Sequence, residues 1–167
     1  MNAAEAKTVA EFLLADMANE AATTVRVLGA VPGDRLDYKP DAKSKTALGL
    51  LRHITLEDEW LLTSIANGTF VPPPDDSDAC GIMKPQDAVT RYNEKIPAAI
   101  ARVKALPGED LARKIDMMGV MQLPAVNFLA LTVKHSVHHR GQLSSYLRAM
   151  GGKVPWIYGP SADTPMS

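Results

Sequence analysis

Four stretches with apolar residues three and four positions apart, broken by clusters of Pro, Gly and Asp, leave this chain few folds other than a helical bundle. The first runs from Ala3 to Leu28, with Val9, Phe12, Leu13, Met17, Thr24 and Leu28 on its inward stripe, and stops near Gly29. The second begins at Thr46, with Ser44 or Thr46 as cap, and ends at Asn67-Gly68. A Pro- and Asp-rich connection, TFVPPPDDSDACGIMKP, opposes any regular element before a third helix over Gln86 to Leu106, in which Pro97 predicts a kink. Residues 108–123 read as a short hairpin or an extended connection. The fourth helix, Pro124 to Met150, has proline in its first turn and Gly151-Gly152 at its stop. The expected fold is all-α: an up-down four-helix bundle in one domain over 1–167. It has a long loop between the second and third helices and an irregular or short hairpin segment before the fourth.

With 167 residues, 46% of them hydrophobic, the chain can bury a substantial core. A net charge of −1 supplies no clustered basic surface, which argues against nucleic acid and against an anionic membrane as partners. Glu5, Glu11 and Asp16 interrupt the N-terminal apolar stretch, so it does not read as a signal peptide, and no segment reaches the length of a membrane span. Cys80 has no second cysteine to pair with, which fits a reducing, cytoplasmic location.

The chemistry lies with the histidines. All four fall in two places, His53 on the second helix and His135, His138 and His139 on the fourth. At 100° per residue, Phe128, Thr132, His135, His139, Leu143, Tyr146 and Met150 share one stripe, with His138 on its flank. On the second helix Leu50, His53, Ile54, Glu57, Leu61 and Ser64 share a face. A lone buried histidine is more often a hydrogen-bonded core residue than a ligand. For two inward imidazoles one turn apart the balance reverses, because a metal satisfies both at once. His53 is the histidine left to supply a third ligand from another helix. Pairing His135 with His138 would draw the ligand set off the apolar stripe.

The stretch HSVHHRGQLSSYLRAMGGKVPWIYGPSAD resembles the helix-4 signature of the DinB-like (DinB/YfiT) metal-binding four-helix bundles: a His-x-x-x-His pair, Arg-Gly-Gln, Leu-Arg, a glycine stop and a Pro-x-x-Tyr-Gly tail. LLRHITLEDEW resembles the family's second-helix context for its third histidine. The resemblance spans nearly the whole chain. It implies one divalent ion on His53, His135 and His139, with open positions for water or substrate. Some members resemble transferases or isomerases that use low-molecular-weight thiols, and others have no assigned activity.

Three imidazoles suit several first-row metals, with zinc or nickel as the expectation here. The candidate catalytic residues are Glu57 and Tyr146. Glu57 reads as a fourth ligand, an outer acceptor, a general base, or an ion-pair partner of Arg52 or Arg140. Tyr146 either points its hydroxyl into the cavity or is a hydrogen-bonded core tyrosine. Asp16 and Glu20 are spaced to line a polar pocket on the first helix, the Arg140-Gly141-Gln142 trio reads as structural, and Cys80 is a poor ligand or nucleophile. Two functions follow. One is a metal-dependent transferase or hydrolase that activates a thiol cosubstrate or water, acts on a small molecule and forms a homodimer. The other is a non-catalytic metal-binding or stress-response bundle.

Overall fold

The computed structural model describes residues 1–166. Helix α1 (Ala3–Gly29) starts on a capping box: the Asn2 side chain accepts from the Glu5 amide and Glu5 accepts from the Asn2 amide, each at 2.9 Å. Helix α2 (Ala47–Asn67) is capped by Thr46, whose hydroxyl accepts from the Gly49 amide at 3.0 Å. It ends on Gly68 at φ 68°, a left-handed conformation that favours glycine. A single 3-10 turn, Asp78–Cys80, lies within the Pro- and Asp-rich connection that was expected to hold no regular element. Ser77 nucleates it by accepting from the Ala79 amide.

Helix α3 (Pro85–Lys104) continues through Pro97, which is exposed, so the carbonyl that loses its amide partner faces water. A five-residue helix α4 (Gly108–Ala112) follows, packed so closely on α1 that a β-carbon on Gly108 would meet the Ala3 carbonyl oxygen at 2.2 Å. Strands β1 (Lys114–Asp116) and β2 (Gln122–Pro124) then form an antiparallel hairpin with Ile115 opposite Leu123. Helix α5 (Ala125–Leu147), the fourth long helix, passes into a 3-10 turn (Arg148–Met150) that stops at Gly151, φ 80°.

The four long helices make the expected bundle, with α1 and α2 diagonal and each packed on α3 and α5. Their directions run up, down, down, up instead of alternating. The 68–84 connection turns back along α2, held by Arg52, which donates to the carbonyls of Ile82 (2.8 Å) and Asp76 (3.2 Å) and pairs with Asp78 (2.6 Å). Helix α3 therefore starts near the beginning of α2 and runs beside it in the same sense, with Glu59 against Arg91 and Asn67 against Arg102. On α2 and α5 the order is reversed: Lys45 meets Tyr146, and Asp58 meets His135.

The core is built from Met17, Leu28, Leu50, Leu51, Ile54, Leu62, Ile65, Ile96 and Phe128, all nearly or fully buried. On α1 the buried face is Ala6, Ala10, Leu14, Met17, Thr24, Val27 and Leu28. Val9 and Phe12, expected on that stripe, are instead exposed, Phe12 by 73%. Small Ala6 and Ala10 let α1 approach its neighbours closely, and Phe12 falls outside the contact. Among the described residues, no helix is long and apolar enough to cross a membrane.

Candidate metal centre

Antiparallel packing of α2 on α5 sets His53, in the second turn of α2, across from the His135/His139 pair. The Nε2 atoms of His53 and His139 are 3.1 Å apart, and those of His53 and His135 are 3.2 Å apart. One ligand nitrogen from each ring lies within 4.8 Å of the others. Tetrahedral ligands at about 2.0–2.1 Å from an ion are separated by about 3.3–3.4 Å, so the spacing fits a shared ion with little adjustment. All three side chains are half-buried, at the margin of the core and not deep within it. His138 is exposed and lies outside the group, although its ring centroid is 4.7 Å from that of His139.

The protons on these rings follow from their other partners. His135 Nδ1 sits 2.9 Å from Asp58 Oδ1, and His139 Nδ1 sits 3.1 Å from Gln142 Oε1. Both partners are acceptors, so Nδ1 carries the proton and Nε2 of each ring is a bare lone pair. His53 Nε2 can donate to only one of them. The set is therefore short of donors and suited to a cation. Burial, reinforced by the two neighbouring rings, lowers the His53 pKa to about 4. Burial also lowers that of His139, with the Gln142 contact opposing.

Asp58 escapes the sequence reading, which offers Glu57 alone as an outer acceptor, one of four roles open to it. It is fully buried, and its second oxygen accepts from the Tyr92 hydroxyl at 2.8 Å. The available signal was a carboxylate inside the apolar stripe Ile54, Leu61, Leu62, Ile65, a position too costly for a charge without partners. Gln142, which the sequence places in a structural trio, orients the His139 ring.

Glu57 is half-buried, stands outside the histidine group and has no hydrogen-bond or ion-pair partner among the described residues. Burial raises its carboxyl above the ordinary range, with His135 opposing. Neither suggested arginine partner reaches it: Arg52 pairs with Asp78 and Arg140 with Glu20. Tyr146 is 3% exposed, donates to the Lys45 carbonyl at 3.3 Å and meets Tyr38 edge-on, which is the core-tyrosine arrangement. Asp16 is half-buried, while Glu20 is buried in an ion pair with Arg140 and accepts from Tyr158 at 3.0 Å. Cys80 is free and half-buried in its turn.

A sequence model of the DinB family matches residues 5–165. The uncharacterized protein YrdA of Bacillus subtilis strain 168 is 28% identical over 148 residues, covering 86% of this chain and 84% of that one. A DinB-like protein from Bacillus cereus superimposes with a TM-score of 0.74 at 21% identity, over 89% of this chain and 97% of that chain. YfiT from Bacillus subtilis is described as a probable metal-dependent hydrolase with an unusual four-helix bundle topology. It superimposes with a TM-score of 0.72 at 15% identity, over 86% and 89% of the two chains. At such identities the solved structures establish the fold.

Proposed function

Since this chain belongs to the DinB family, we propose that it is a metal-dependent hydrolase holding one divalent ion, zinc or nickel, on His53, His135 and His139. The observation that carries this reading is the donor set: three Nε2 atoms within one ion's reach, supplied by two helices, and no fourth ligand in the group among the described residues. Structural zinc sites are closed by four protein ligands, whereas three leave a position for a reactant. An ion there would supply Lewis acidity and lower the pKa of a water or thiol that reaches it.

The chain's own residues do the rest. Asp58 and Gln142 fix the two rings of α5 as Nδ1–H tautomers, which leaves their Nε2 lone pairs free toward His53 Nε2. Glu57 is the proton acceptor: its carboxyl is unpaired, half-buried and held above the ordinary carboxylate range. A low-molecular-weight thiol in place of water would make the same centre a transferase.

Metal analysis of the purified protein should find about one equivalent per chain. Panels of activated esters and amides, and of electrophiles with several small thiols, should then be assayed before and after chelation. Turnover lost on chelation, restored by metal and abolished in Glu57→Gln with metal retained is the expected result. A loaded protein inert to both panels would identify a non-catalytic metal-binding bundle.

A further inference from the structure

Helix α3 contributes no ligand, yet one of its side chains reaches the centre through Asp58. Tyr92 is 1% exposed, fixed between Ala88 and Ile96 one turn to either side, and its hydroxyl donates to Asp58 Oδ2 at 2.8 Å. Asp58 has two partners, Tyr92 on Oδ2 and His135 on Oδ1. A carboxylate turns readily about its last torsion, so one hydrogen bond alone would leave its second oxygen poorly aimed. Tyr92 removes that freedom. The same hydroxyl lies 3.4 Å from the Ser136 hydroxyl, on the residue after His135, so it is placed against α2 and α5 together. Tyr146 by contrast spends its hydroxyl on a backbone carbonyl and Tyr158 on Glu20.

We propose that Tyr92 is a positioning residue of the metal centre: it holds Asp58 so that Oδ1 faces His135 Nδ1, and thereby aims His135 Nε2 at the ion. This rests on the three-histidine reading above. The probe is Co2+ alone, its affinity measured by competition with a chromophoric chelator and its d–d absorption recorded. Outer-shell changes cost about 10–100-fold in metal affinity, so Tyr92→Phe, one step further out, should cost about 3–10-fold and shift the d–d bands. In an Asp58→Asn background it should cost nothing more, because the route through Asp58 is already cut. 4-Aminophenylalanine at position 92 keeps a donor and should restore most of the affinity.

An affinity within twofold of wild type, or an equal loss in the Asp58→Asn background, overturns the proposal. Should Tyr92→Phe fail to fold, wild type labelled at the Cζ of its four tyrosines serves instead. Metal loading should move the Tyr92 resonance, and an unmoved resonance overturns the proposal. Wild type that binds no Co2+ overturns the three-histidine reading as well, whereas wild-type binding with an unaffected Tyr92→Phe overturns this inference alone.

Discussion

Two polar clusters interrupt the apolar interior, and they are finished differently. Around Arg140, 1% exposed, the guanidinium pairs with Glu20, donates to the Glu20 carbonyl at 3.2 Å and to the Tyr158 hydroxyl, and lies over the Tyr158 ring at 5.2 Å. Donors and acceptors match there, and the cluster asks for nothing further. Around His53, one N–H at most faces two lone pairs in a half-exposed position. The first pattern fixes α1, α5 and the tail; the second is a site with a place left for a cation.

The comparison can be broken most forcefully at Glu20. Glu20→Ala would leave Arg140 charged and buried, so unfolding free energy should fall by about 3–5 kcal/mol in urea titrations, while metal affinity per folded molecule stays within about twofold. A large loss of affinity would mean that the two clusters are one. His135→Ala should do the converse, weakening metal binding by about 100-fold, since losing a ligand exceeds most outer-shell effects. Unfolding of the metal-free protein should change far less than for Glu20→Ala.

Acid should separate the clusters next. Because the folded chain holds His53 at about 4, below its ordinary value, the unfolded chain binds a proton there that the folded one refuses. Metal-free stability is thus full above about pH 6.5 and falls as pH drops to about 4, by on the order of 2 kcal/mol after discounting for solvent screening. A flat profile over that window would contradict the desolvation of His53. Metal release should accompany the fall, since an imidazole binds metal only when neutral. Asp58→Asn keeps the shape and should lower metal affinity by about 10-fold, read by chelator competition. Smallest of all, His138→Ala should leave affinity within about twofold; a loss matching His135→Ala would put the wrong histidine in the centre.

How much could be read in advance depended on the range of the forces involved. Thr46 at the start of α2 and Gly68 and Gly151 at helix ends act within a few residues, and all three are legible in the sequence. The convergence of His53 with His135 and His139 was legible because helical periodicity assigns faces. The exposure of Phe12 is not legible, because hydrophobicity alone does not tell which of two apolar faces meets a neighbouring helix. Asp58 is not legible in the sequence because its partners, His135 and Tyr92, lie 77 and 34 residues away. Helix directions were equally hidden: the length of the 68–84 connection does not reveal that Arg52 folds it back along α2.

That return segment also has a kinetic consequence. In a bundle of successive helical hairpins each new helix can dock antiparallel on the one just formed, so early contacts are local and loop closure is cheap. Here α1 and α2 are diagonal, α2 and α3 meet only after the connection has retraced the bundle, and α5 must find its main partners, α1 and α2, in the N-terminal part of the chain. Folding of this chain should therefore be slower than for a strictly alternating bundle of equal length, with the search for α5's place as its slow step.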